Sequence, residues 1–204
     1  MSKNNIFGEI ASDNASLILF VADLKDAQKW TGVDHPKLMD WIDSDFSNSR
    51  YMNLKSPKGA LFQLGETGFA SLSHIDGKLI ISEPSLPYLQ KNTPKGIKKG
   101  SIESDFLSLL QEGPNLEPEP GDEPSIESQV VIKSGFVVVS DVWVNLVDSG
   151  LKEESKKIGK DVVILNDEKT YIIPIKNGTY ELTRYPAVFG KNNQIWSMVF
   201  EPLQ

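Results

Sequence analysis

Beyond Gln129 the chain is a series of short apolar or alternating runs closed by turn residues, and that pattern allows little besides paired strands. The runs are Gln129 to Lys133, Gly135 to Val139, Val142 to Val147, Val162 to Leu165, Tyr171 to Ile175, Tyr180 to Arg184 and Ile195 to Phe200. Each is too short for a stable helix and too rich in β-branched and aromatic residues for a loop. Asn177-Gly178 reads as a hairpin turn, because both central residues of a type I′ turn need positive φ. The only helix signalled in this part is short and charged, around Glu153 to Lys157.

The first half mixes both periods. Leu17 to Ala22 is a continuous apolar run, expected as a buried strand, and it leads into a helix over 23–30 with Asp23 as cap and Gly32 beyond its end. A second helix is expected over 36–42, opened by Pro36 and carrying Leu38, Trp41 and Ile42 on one face. Gly59 to Leu64 and Gly68 to Ile75 read as strands. The Asp76-Gly77 pair then turns the chain into Lys78 to Ser82. Pro84 ends that strand, and Leu86 to Leu89 is expected to run on as a loop.

A basic connection holding Lys95, Lys98 and Lys99 precedes a helix over 101–111. Ser101 caps it, Glu103 and Asp105 lie in its first turn, and Ile102, Phe106, Leu109 and Leu110 share a side. Residues 113–128 alternate acids with Pro114, Pro118, Pro120 and Pro124, which suits an extended linker or exposed loop. The expectation is therefore an α+β protein, mainly antiparallel sheet with about three short helices gathered mostly in the N-terminal part. Its divisions would be an α+β part at 1–112, the linker, and a β part at 129–204, with the two parts free to pack as one domain. The segment His74 to Ser82 resembles Ile175 to Thr183, which raises the possibility of an internal duplication.

The chain has 204 residues, enough to bury about two-thirds of its unfolded surface without staples. It has no cysteine, which removes disulfides, thiolate metal sites and a cysteine nucleophile, and it fits a reducing compartment. No apolar stretch matches a secretory signal or a membrane span, so a cytoplasmic protein is expected. A net charge of -7 repels phosphate backbones and attracts basic partners, which argues against nucleic acid.

Catalytic signals are few. There are two histidines: His35 precedes a proline and reads as a surface residue, and His74 reads as a hairpin side chain. The chain contains no serine elbow, glycine-rich phosphate loop or zinc-binding helix. Asp40, Asp43 and Asp45 could bind a hard cation only with help from distant segments, and a solvated helix end explains them better. No catalytic residue, metal or cofactor is expected, and the protein is not read as an enzyme. The four tryptophans fit core packing, whereas one exposed beside an acidic loop would be an interface anchor.

Several segments together resemble the immunity protein 21 family of bacterial polymorphic-toxin systems. Ser12 to Gly32 is similar to that family's opening strand and short helix ending in Trp30-Thr31-Gly32. Tyr51, Gly68 to Leu72 and Leu79 to Leu89 resemble its central strand pair and the acidic-proline, leucine-proline, aromatic-leucine segment that follows. Ser101 to Leu110 is similar to its leucine-rich helix, and Asn177 to Leu182 to its closing strand. The resemblance implies a cytoplasmic protein that neutralises a cognate toxin by tight stoichiometric binding, and it carries no residue-level binding motif.

An acidic inhibitor would be steered towards a basic nuclease toxin. The expected partner surface is Asp40, Asp43, Asp45 and Tyr51, or the loop holding Glu117, Glu119, Asp122 and Glu123. Two other classes fit the same sequence: a phage or secretion-system assembly protein, and a small-ligand protein or enzyme with a pocket between two β lobes.

Overall fold

A computed structural model describes residues 5–12, 17–33, 40, 50–112, 125–159, 161–165, 169–191 and 193–203. Among them twelve strands form two six-stranded sheets. In the first the order is β1 (Asn5–Ala11), β5 (Phe69–Ile75), β6 (Lys78–Glu83), β12 (Asn193–Pro202), β11 (Gly178–Phe189) and β7 (Ser125–Ile132). In the second it is β3 (Tyr51–Lys55), β4 (Lys58–Gln63), β2 (Ile18–Asp23), β8 (Phe136–Asp141), β10 (Thr170–Pro174) and β9 (Val163–Leu165). The pairings of β1 with β5, β5 with β6, β6 with β12 and all those of the second sheet are antiparallel.

The helices are α1 (Leu24–Ala27), α2 (Leu86–Lys91), α3 (Ile102–Glu112) and α4 (Leu151–Glu154). They are spread along the chain, which corrects the expectation that they gather in the N-terminal part. A mainly antiparallel sheet protein with few short helices is otherwise what the strand pattern predicts.

Local chemistry explains most of these elements. Every residue of β2 is buried, as its continuous apolar run requires of a strand with neighbours on both edges, here β4 and β8. Asp76 and Gly77 take φ of 50° and 80°, and Ile75 faces Lys78, so the first Asx-Gly pair closes the expected hairpin. In α3, Ile102, Phe106 and Leu110 recur at helical spacing and are buried. The Oγ of Ser101 lies 2.7 Å from Asp105 at its start.

Four expectations are overturned. Leu86 to Leu89 is helical rather than a loop: the Ser85 Oγ accepts the Tyr88 N–H at 3.2 Å, and Pro87 in the first turn already has helical φ. The helix expected over 23–30 stops at Ala27, although Asp23 caps it as foreseen. Val142 to Val147 is no strand, because the chain turns immediately after β8. Asn177-Gly178 is no hairpin: β10 is already paired with β8 and β9, so the chain leaves Pro174 to start β11 in the other sheet. The likeness of the two Asx-Gly segments is therefore local, and the second does not form the hairpin a duplication would repeat. The helix expected over 36–42 lies outside the described residues except for Asp40, which is helical and exposed.

The chain forms two compact units, each assembled from separated stretches. One contains 1–17, 64–127 and 182–201, and the other 18–63, 128–181 and 202–204. The crossings fall inside regular structure or beside it, the one between Glu127 and Ser128 within β7. In the first unit Ile75, Ile80, Leu89, Phe106, Phe189 and Ile195 belong to one core. In the second, Phe20, Trp30, Leu61, Val138, Leu146 and Ile172 do, with Phe20 and Trp30 stacked at 4.4 Å.

Two buried carboxylates tie loops to these cores. In the second unit Asp23 accepts the N–H groups of Lys25, Lys133 and Ser134 at 2.9, 2.7 and 2.7 Å. Burial pushes its carboxyl up, and the three donors outweigh this and hold it below the ordinary 3.8. In the first unit Glu83 accepts from the backbone of Gly65, Thr67 and Gly68 and from the Thr67 hydroxyl. Here burial prevails over the donors, and the carboxyl is raised above 4.5. Among the described residues no helix is long and apolar enough to cross a membrane.

Candidate interaction surface

The segment 142–150 is a loop of the second unit held by several hydrogen bonds. Val142, Leu146 and Leu151 point into the core and are essentially fully buried. Trp143 and Val147, four residues apart, point outwards and are 38% and 50% exposed. Burial of one set fixes where the other set projects.

Hydrogen bonds set the backbone of this loop. The Val142 N–H donates to the Ile18 carbonyl at 2.9 Å, and the Leu146 and Val147 N–H groups both donate to the Trp30 carbonyl, at 2.9 and 3.2 Å. Asn145 Oδ1 accepts from the Val147 and Asp148 N–H groups, while its Nδ2 donates to Asp148 Oδ2 at 2.8 Å. This is the side-chain mimicry of a backbone turn at which asparagine excels. Gly32, with φ of 78°, passes so close that a Cβ there would sit 2.9 Å from the Trp143 carbonyl oxygen. A preorganised loop presenting a large aromatic loses little entropy on binding a partner. Asp148 and Glu153 add exposed carboxylates beside it, and Lys152 and Lys156 add exposed amines.

The other tryptophans described behave differently. Trp30 is core, and Trp196 is covered by the Arg184 guanidinium at 3.6 Å from its ring centre. Trp143 is thus the exposed tryptophan among the described residues. Sequence reading passed over it because Val142 to Val147 looks like a strand. The signal that could have found it is the cluster Asn145, Asp148, Ser149 and Gly150, which marks a turn, combined with the spacing of Val142 and Leu146.

Of the residues expected to meet a partner, Asp40 is exposed, and Tyr51 is half-buried on β3, opposite Phe62. Asp43, Asp45, Glu117, Glu119, Asp122 and Glu123 lie outside the described residues, as do His35 and Trp41. His74 is half-buried on β5 with its ring 4.9 Å from that of Phe7, and burial holds its pKa below 6.5. Among the described residues no group of three metal-ligating side chains is placed to hold an ion. No family model, curated protein or solved structure matches the chain.

Proposed function

We propose that this protein neutralises a cognate bacterial toxin by stoichiometric binding, as an immunity protein, with Trp143 as a principal anchor of the interface. The observation that carries the reading is a partly exposed tryptophan on a loop held by the backbone hydrogen bonds of Val142, Leu146 and Val147 and by the Asn145 side chain. Tryptophan is among the side chains that most often dominate binding energies at protein interfaces. The net charge of -7 supports a basic partner, which it would attract over several ångströms at low salt. The segments similar to the immunity protein 21 family point the same way.

The test is titration of the full chain with the product of a toxin gene found beside its own, catalytically inactivated, at low and high ionic strength. A one-to-one complex that weakens with salt is expected. Trp143→Ala should reduce affinity about thirtyfold or more, the loss of a hot-spot side chain. Absence of a complex refutes the reading, and a complex indifferent to Trp143→Ala refutes the anchor. Binding instead to a capsid, tail or secretion component would place the chain in an assembly.

A further inference from the structure

We propose that a groove of about 350 Å³ in the second unit, between the β3–β4 hairpin and β7, binds a small organic molecule carrying clustered oxyanions. The site shares no residue with the Trp143 loop and goes beyond the toxin-binding reading, so the outcome for one leaves the other standing.

Charge is the first reason. In a chain of net charge -7 the groove gathers Lys55, Lys58 and Lys133. None of the three makes an ion pair or side-chain hydrogen bond with a described residue. Among the described residues lining the groove the carboxylate is Asp26, which is engaged by Lys29 at 3.0 Å. Lys55 and Lys58 are also directly opposed across the hairpin, where like charges destabilise a strand pair. A bound anion would relieve that repulsion.

The groove is also built rather than incidental. The Ser128 hydroxyl donates to Asn53 Oδ1, joining β7 to β3 across it. The Asp23 carboxylate fixes the backbone at Lys133 and Ser134. Gly59 leaves no room for a Cβ, which would meet the Val21 carbonyl oxygen at 2.6 Å, so β4 is held tightly against β2. Leu54, Val130 and Val131 supply an apolar wall beside the amines. That division suits a ligand with an anionic end and an apolar body, and the volume matches a small-molecule site rather than a lone ion. Ammonium groups serve phosphate and carboxylate oxygens alike, as point charges.

The proposal is tested by calorimetric titration of the full chain with ADP, with citrate and with adenosine, each up to millimolar concentration. ADP or citrate should bind and adenosine should not, and which anion binds identifies the oxyanion. The double variant Lys55→Gln/Lys58→Gln should weaken binding at least about tenfold. The control Lys98→Gln/Lys99→Gln should leave it unchanged. Backbone amide shifts should move at Val131 and Lys133. Binding of neither anion, or binding that survives the hairpin double variant, overturns the proposal.

Discussion

Replacing Asp23 with alanine removes the acceptor of three backbone N–H groups while leaving no bulky cavity, since the side chain is short. The residue is 4% exposed, and its two oxygens divide the work: one caps α1 through Lys25, and the other holds the turn between β7 and β8 through Lys133 and Ser134. A lost helix cap costs about 1 kcal/mol. A hydrogen bond to a charged acceptor is worth about 1.5–3 kcal/mol, and the lower figure applies here because Lys133 is exposed and water can reach it. The variant should therefore lose about 4 kcal/mol, a large share of the 5–15 kcal/mol typical of a whole domain. Asp23→Asn keeps one acceptor and remains a good cap, so it should lose about half as much. Urea unfolding followed by tryptophan fluorescence measures both. The sign of the pH dependence is also determined. The folded carboxyl titrates below 3.8, so its contribution is fully present above that value and disappears as pH falls through the folded pKa. The asparagine variant should lack this acid-side loss. Unfolding of Asp23→Ala within about 1 kcal/mol of wild type would refute the reasoning, as would identical acid limbs for wild type and Asp23→Asn.

Gly32→Ala should cost at least about 2 kcal/mol in a urea melt, because its φ of 78° alone disfavours a side chain and the new Cβ would press on the Trp143 carbonyl. The same variant should weaken toxin binding through the displaced loop. Trp143→Ala should lower stability by about 1–3 kcal/mol, less than the loss of a core aromatic because its ring is partly solvated, and affinity measured well below the unfolding transition separates binding from folding. His74 should titrate by NMR with a midpoint below 6.5, so that its contribution to stability is present above that pH and is lost as the solution is acidified past it. Phe106→Ala should cost about 3–5 kcal/mol by the same melt, since the ring is fully buried and meets Phe189 edge-on at 5.9 Å.

Among the elements, legibility followed the range of the interactions that form them. The Asp76-Gly77 hairpin, α3 and the buried run of β2 were readable because turn chemistry, helical spacing and strand burial act within a few residues. The strands β1 and β3 were not, since Asn5–Ala11 and Tyr51–Lys55 mix exposed and half-buried positions at sheet edges and carry no strong alternation. The helix α2 was missed because prolines at 84 and 87 suggested a loop, although Ser85 and Pro87 are a good helix start. Of the functional surface, the acidity and the idea of an aromatic anchor were visible, but the anchor's identity was not. Tryptophan is equally at home in a core and at an interface, and only the turn after Asp141 sends Trp143 outwards.

By itself the sequence determined a strand-rich protein with few short helices, the position of one tight hairpin, and the capping of α1 by Asp23. Those follow from backbone preferences and hydrogen bonds between near neighbours. Tertiary structure decided that β10 and β11 part into different sheets, that each unit is made from three stretches of chain, and that Lys55, Lys58 and Lys133 share one groove. The reason is that a strand's partner depends on which edges the rest of the chain has already filled. That is a property of contacts far apart in sequence, which no local pattern encodes.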